Sequence, residues 1–375
     1  MVYTAQHEML ARQTPDETAQ QRFVLALKRH VMISMRPGVG LAYAKQAEPA
    51  YLAEHGRPPA DRAEAEEALD SSSHYRFTKA INRISQEMMW QAVGETVYRE
   101  KDRLETAAGR LTDVAAAKGS LSLDPSLQPE QIYNDCFIHL QPEGYLPADP
   151  KGTSIIAGAF YESGGRLYSM GRGMGQEDSK AGAVIKWLEE VRPGWRPKRI
   201  LDMGCSAGSA STAYAEHFPD AEIHACDLGS SMLRYAHARA ESMGAPVHFH
   251  QADAARTKFP DGHFDLIVSH NLLHEISGDT RRGVAAESLR LLAPGGICVH
   301  QDVDLLFRGK AAWEEAERAY DLHFNNEPFW LEYATSDLTS ELTAAGFPQQ
   351  AVNEAKVKKV AGPGHWYAFT AVKPE

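Results

Sequence analysis

Several things are scarce in this chain of 375 residues, and each scarcity closes off a class of protein. Cysteine is one: Cys136, Cys205, Cys226 and Cys298 stand far apart with no CxxC pair. Neither a disulfide framework nor a zinc site is therefore expected, and a reduced, cytoplasmic setting fits best. Basic charge is another: 39 Lys and Arg face 50 Asp and Glu, a net −11, and the basic residues are scattered rather than striped. Such a balance opposes binding to a phosphate backbone, so no nucleic acid partner is expected. No stretch approaches about 20 uninterrupted apolar residues, and MVYTAQHEML has no basic head followed by an apolar core, so neither a membrane span nor a leader is expected. Internal repeats and low-complexity segments are absent too. What remains is ordinary globular protein, 43% hydrophobic and 24% charged, in a length that favours two domains.

Residues 1–150 read as a mainly helical N-terminal domain. Thr14-Pro15-Asp16-Glu17 sets a cap, a first-turn proline and acids ahead of the apolar-periodic RFVLALKRHVMISM, as a helix start requires. Asp61 opens another helix in DRAEAEEALD, and Phe77, Ile81, Ile84, Met88 and Val93 keep helical spacing through a third. Residues 151–180 are expected to be a hairpin and lid linker. There SIIAGAFYESGGRLYSMG reads as two short strands about Gly164-Gly165, and the glycines of GRLYSMGRGMGQEDSK suit a lid or a plain linker. From 181 to 375 helices and strands alternate, the pattern of a parallel sheet covered on both faces. RILDM, EIHACD, VHFHQAD, FDLIVS and ICVHQDV are the strands, an insert occupies about 303–345, and AVNEAKVKKV and HWYAFTAVK close the chain.

The stretch ILDMGCSAGS, residues 200–209, ends a strand on Asp202 and continues through Gly204, Cys205, Ser206, Ala207 and Gly208. A strand turning into a helix on glycines lets backbone approach a nucleotide. A fixed carboxylate before the first glycine repels a pyrophosphate and suits an ammonium group, which favours a nucleotide bearing an amino acid. Asp227 ends the next strand 23 residues after Gly204, where it can accept hydrogen bonds from both ribose hydroxyls. Asp253, after VHFHQA, is placed to meet an adenine amino group.

Together these residues resemble the class I S-adenosylmethionine (SAM)-dependent methyltransferases of small-molecule type. LDMGCSAGS is similar to their first motif, CDLGSSML to their second, QADA to their third, and FDLIVSHNLLHEI to the strand and loop beside the methyl group; LLAPGGICVHQDV resembles their next helix, glycine turn and fifth strand. Ser206 stands where many members carry glycine. The resemblance implies an α/β, Rossmann-like sheet of seven strands, the last antiparallel, with SAM across their carboxyl ends and S-adenosylhomocysteine as product. It implies that Gly204, Ser206 and Gly208 approach the methionine part, with Asp202 supporting its ammonium through water or the loop backbone. Asp227 would hold the ribose, Leu228 and Met232 would flank adenine, and Asp253 and Ala254 would bound its far edge. His270 and Asn271 would line the methionine or methyl region, or serve only as loop polarity.

His274, followed by Glu275, resembles the histidine that small-molecule O-methyltransferases use as a base, and a packing role is the competing account. The insert offers His323, Asn326, Phe329, Trp330 and Tyr333 as an acceptor wall or as anchors to the sheet. Upstream, Tyr161, Tyr168 and Arg172 are candidates to bind the acceptor, with Tyr168 or Arg172 on a lid facing the cofactor. No His and carboxylate set at ligand spacing stands out, so no metal is expected. The activity implied is methyl transfer to O, N, S or C of a small molecule. The alternative is another SAM reaction in the same pocket, such as cyclisation that releases methylthioadenosine. The helical front is a candidate cap, a candidate homodimer interface, or both.

Overall fold

The computed structural model describes residues 6–113, 115–170, 180–360 and 364–375. Five helices open the chain: α1 (Pro15–His30), α2 (Pro37–Ala42), α3 (Glu48–His55), α4 (Arg62–Asp70) and the 39-residue α5 (Ser73–Leu111). α1 starts as its sequence directs, with Glu17 N donating to Thr14 Oγ1 (3.2 Å) and Thr14 N to Glu17 Oε2 (2.8 Å), a reciprocal cap that satisfies two free backbone donors. Asp61 likewise caps α4 by accepting from Glu64 N at 3.0 Å.

α5 is rotated from the face its apolar residues suggest. Phe77 and Ile84 are 61% and 45% exposed, while Tyr75, Thr78, Lys79, Ser85 and Gln86 turn inward, followed by Met89, Trp90, Val93 and Val97. Tyr75 packs with Val39, Tyr43 and Leu69, Lys79 faces Asp70, and Gln86 meets Lys28 and the His139 carbonyl, so contacts with several segments decide which face is buried there. Helix also stops at Leu111 instead of dominating to 150. The described residues of 112–155 are largely irregular, broken by the strand β1 (Ser120–Ser122), the one-turn α6 (Ile132–Asp135) and a 3₁₀ turn.

The hairpin expected around Gly164-Gly165 is a helix, α7 (Ile156–Tyr168). Its buried Ile156, Ala159, Phe160, Gly164 and Leu167 recur at helical spacing. Gly164 serves close packing instead of a turn: a Cβ there would lie 2.4 Å from the Trp90 ring of α5.

Beyond α8 (Ala181–Val191) the expected alternation is present: β2 (Arg199–Met203), α9 (Ser209–His217), β3 (Glu222–Asp227), α10 (Ser230–Met243), β4 (Val247–Gln251), β5 (Phe264–His270), α11 (Gly278–Leu291) and β6 (Leu292–Asp302). The insert supplies α12 (Ala312–Phe324), α13 (Trp330–Ala334) and α14 (Leu338–Ala344), and β7 (Val352–Lys358) and β8 (His365–Val372) end the fold. Strand order is β1-β4-β3-β2-β5-β6-β8-β7, with β8 antiparallel to both neighbours. The seven expected strands are present with the last antiparallel. β1 adds an eighth at the edge, parallel to β4, and three residues are too few to show a strand period.

From β2 the chain builds outward through β3 and β4, then crosses back to β5. A crevice opens outside the strand ends at such a switch point. The helical front reaches this region directly, since Met9, Val24, Trp90, Val93 and Phe160 share one core with Met232, Tyr235 and Ala238 of α10. Among the described residues no helix is long and apolar enough to cross a membrane.

Candidate active site

At the carboxyl ends of β2, β3, β4 and β5 lies a cleft open to solvent, its empty space about 790 Å³ with part of that solvent included. Its floor comes from Gly204 and Ser206 after β2, Asp227 and Leu228 at the end of β3, Met232 of α10, Asp253 and Ala254 after β4, and His270 to Leu272 after β5. Gly204 sits at φ +68°, a turn that favours glycine, and a Cβ there would press on the movable tip of Leu272 at 2.6 Å. Ser206 and Asn271 also hold positive φ, 45° and 57°, a costly conformation for residues with side chains. Asp227 pins the turn: its Oδ2 accepts from Ser206 N and its Oδ1 from Gly229 N, both at 2.9 Å. Burial pushes the Asp227 carboxyl up in pKa, and the backbone donors oppose it.

Asp202 is not part of the cleft wall. It is fully buried at the end of β2 and accepts from Ser211 Oγ at 2.6 Å, tying the strand to α9, whose N-cap is Gly208. Any influence of Asp202 on the cleft thus passes through the loop above it, one of the two routes expected for it. His270 is nearly buried between Tyr214 OH and Gln301 Oε1, each 3.1 Å from a ring nitrogen, and Asn271 Oδ1 accepts from Gln301 Nε2 at 3.0 Å.

The opposite wall is Tyr133, Tyr145, Leu146 and Tyr161. Of these only Tyr161 is among the sequence candidates. The available signal for the others is a loop rich in proline that nevertheless carries Tyr133, Phe137 and Tyr145, a poor composition for a solvated connection.

Behind the cleft, side chains from seven segments converge. Glu275 lines the cleft, and its Oε1 lies 2.5 Å from His139 Nε2, 3.5 Å from His274 Nε2 and 3.5 Å from Tyr145 OH. His274 Nδ1 is 2.6 Å from Asp302 Oδ1. His139 Nδ1 meets Tyr168 OH at 2.8 Å and also the Glu327 carboxylate. Asn325 Nδ2 donates to Tyr168 OH (2.7 Å) and to Glu327 Oε1 (2.8 Å). The His139 carbonyl, at φ +57°, accepts from Gln86 Nε2 (3.0 Å) and Trp90 Nε1 (2.6 Å), which explains the polar face of α5. Lys28 Nζ donates to Gln86 Oε1 at 2.5 Å and stands 5.4 Å over the Tyr168 ring; burial pushes its pKa down to about 8.

Burial alone would lower both histidines. The facing carboxylates outweigh it, holding His139 well above its usual value and pushing His274 up to about 10. Burial would raise Glu275, but His139 and His274 outweigh it and keep it ionised, while Glu327 is pushed up, chiefly by burial. His274 is only 5% exposed and does not line the cleft. With both ring nitrogens facing carboxylates it is an imidazolium with no lone pair to offer, so the general-base role does not fit it in this state.

The insert divides between wall and anchor. Phe329 packs on Tyr133, ring centroids 5.8 Å apart, close behind the cleft. Trp330 and Tyr333 pack edge-on against the His274 ring at 5.8 and 5.9 Å, and Tyr333 OH donates to Val303 O. Asn326 Nδ2 donates to Phe137 O at 3.3 Å, and His323 is exposed. Tyr168 belongs to the cluster as described, and Arg172 lies outside the described residues. The expectation of no metal-ligand set also needs correction. His139, His274 and Glu275 offer one ligand atom each within 4.8 Å of one another, and sequence separation hid the first from the other two.

Part of the chain is similar to known methyltransferases. Residues 200–296 match a family model described as a methyltransferase domain. A demethylmenaquinone methyltransferase of Thermus thermophilus is 37% identical over 121 residues, which cover 32% of this chain and 54% of that protein. A phosphoethanolamine N-methyltransferase of Arabidopsis thaliana is 29% identical over 136 residues, 36% of this chain and 26% of that one. Among solved structures, a putative O-methyltransferase from Nostoc punctiforme aligns over 96% of both chains at 15% identity and a TM-score of 0.43. The chain spans about half the length of the first curated relatives it matches. Residues 200–296 thus match a methyltransferase domain, and relatives similar over this stretch are methyltransferases.

Proposed function

We propose that the protein transfers a methyl group from SAM to a small, polar acceptor. The observation that carries this is the Asp227 carboxylate, fixed by Ser206 N and Gly229 N beside the Gly204 turn, in one cleft with Leu228, Met232, Asp253 and Ala254. Asp227 would hold the ribose hydroxyls through the lone pairs left on its oxygens. Leu228, Met232, Asp253 and Ala254 would enclose adenine, and the Gly204–Ser206 backbone with His270 and Asn271 would meet the methionine part. The fit is supported by the left-handed turn at Gly204, which any residue with a side chain would strain. When bound, SAM supplies a methyl group activated by its sulfonium.

The chain's own task is to align the acceptor, exclude water and manage a proton. Tyr145, Tyr161 and Glu275 face the cleft, and Glu275 is the group offered to an acceptor O–H or N–H. His274 and His139 are positioning residues, braced by Asp302 and by Tyr168, Asn325 and Glu327. The helical front acts as a cap by delivering Lys28, Gln86 and Trp90 to this cluster. Exposed Phe23, Ile33 and Phe77 favour a homodimer through the same helices, which light scattering tests. Four unpaired cysteines, three of them buried, favour a reduced cytoplasmic setting.

Incubating the purified chain with SAM and a panel of hydroxyl, amine, thiol and carbon acceptors tests the assignment. Acceptor-dependent S-adenosylhomocysteine supports it. Methylthioadenosine without a methylated product would replace it with cyclisation or elimination of SAM.

A further inference from the structure

We propose that His139, His274 and Glu275 bind one divalent first-row transition-metal ion, with an open coordination position toward the cleft. Imidazole and carboxylate donors suit this class of ion. The geometry is close to what such an ion needs. His274 Nε2 and Glu275 Oε1 are 3.5 Å apart, about the roughly 3.4 Å edge of a tetrahedron with bonds of about 2.0–2.1 Å. His139 Nε2 stands closer to Glu275 Oε1, at 2.5 Å, and a side-chain shift on the order of 1 Å opens that pair to the same edge.

Both imidazoles are braced on their far nitrogens, as metal-binding histidines are. His274 Nδ1 faces Asp302 Oδ1 at 2.6 Å, and Asp302 is itself fixed by Leu273 N (2.8 Å) and Val303 N (2.7 Å). His139 Nδ1 faces Tyr168 OH and Glu327, and its strained backbone is held by Gln86 and Trp90. A simple ion pair with Glu275 needs neither arrangement.

The cluster also has acceptor capacity to spare. Glu275 Oε2 and Glu327 Oε2 are buried without a hydrogen-bond partner, and Glu327 is 1% exposed. Three carboxylates, Glu275, Asp302 and Glu327, surround two imidazoles. A dication would take the place of the two ring protons that its entry displaces, leaving the net charge of the cluster unchanged and making its binding pH-dependent. Because Glu275 also lines the cleft, an ion here would present its open position to an acceptor oxygen or nitrogen. Ion binding stands apart from the methyl-transfer assignment; only the ion's role toward an acceptor rests on it.

The test uses the full-length protein, stripped with a chelator and titrated with Co²⁺ and Zn²⁺ without SAM or acceptor. One equivalent of Co²⁺ is expected, with a visible ligand-field spectrum, release of protons, and displacement by Zn²⁺. His139→Ala and Glu275→Gln should each weaken binding by at least about 100-fold. Circular dichroism and Tm report folding, and should His139→Ala not fold, the nearly isosteric Glu275→Gln carries the test. Substoichiometric uptake by the folded chain, or unchanged affinity in Glu275→Gln, overturns the proposal. SAM affinity measured in parallel separates the two assignments: metal failure with SAM binding intact sinks only the metal site, and the reverse sinks only the SAM cleft.

Discussion

The cleft floor and the polar cluster behind it are built on opposite plans. The floor uses turns that come after four neighbouring strands, all within residues 204–272, and depends on backbone: a left-handed glycine and two N–H groups on Asp227. The cluster depends on side chains from distant segments, with His139 meeting Glu275 across 136 positions and Asn325 across 186. A strand, turn and helix recreate the first kind of site wherever they recur. The second exists only while a whole set of helices and loops stays docked, and a buried polar network tolerates few changes. A shared nucleotide end can therefore serve different reactive ends, and fold alone does not name the acceptor.

Glu275 is where the two plans meet, and Glu275→Gln should have the largest effect. We expect kcat to fall by about 100- to 10,000-fold with SAM affinity near wild type, read by single-turnover product formation and calorimetry. If affinity fell as far as kcat, floor and cluster would not be separable.

A buried carboxylate outside the site sharpens the contrast. Glu162 sits among His7 (2.9 Å), Arg239 (3.0 Å) and Tyr235 (2.6 Å). Burial would raise its pKa, but Arg239 and His7 outweigh that and hold it at about 2. An acid with a depressed folded pKa stabilises above its unfolded value, about 4.3, and loses that contribution as pH falls toward about 2. The loss is ~3 kcal/mol. Urea unfolding from pH 5 downward should show it, and Glu162→Gln should flatten the slope; an equally steep acid limb in the variant would remove Glu162 as its source.

On the floor, Asp227→Ala should weaken SAM binding by about 10- to 100-fold, the range for losing hydrogen bonds to a charged group, and leave kcat at saturation largely intact. Wild-type affinity in calorimetry would refute the ribose assignment. The smallest effect is expected at Ser206, whose φ of 45° strains a side-chain-bearing residue. Ser206→Gly should add about 1 kcal/mol of stability, and a lower Tm would mean that the serine side chain contributes more than its backbone costs.

Much of the floor is legible because its signals are short. RILDM, EIHACD and FDLIVS are apolar runs of strand length, Asp227 ends its strand directly, and Thr14 and Asp61 cap the helices they precede. α7 is harder to recognise because paired glycines ordinarily mark a turn; only the Trp90 ring opposite Gly164 shows that they serve close packing. β1 is too short for a period, and Phe77 and Ile84 mislead because α5 turns Tyr75 toward the cluster of Val39, Tyr43 and Leu69 and Gln86 toward His139.

By itself the amino-acid order determined the alternation of strand and helix, the glycine turn at 204 and the carboxylates that end β2 and β3, since each depends on neighbours a few positions away. Only the tertiary structure decided that Asp202 is sealed beneath the loop, that His274 is clamped between Asp302 and Glu275, and that His139 completes the cluster. Such contacts have no local period: they arise when remote segments are packed together, and burial then sets which groups hold charge.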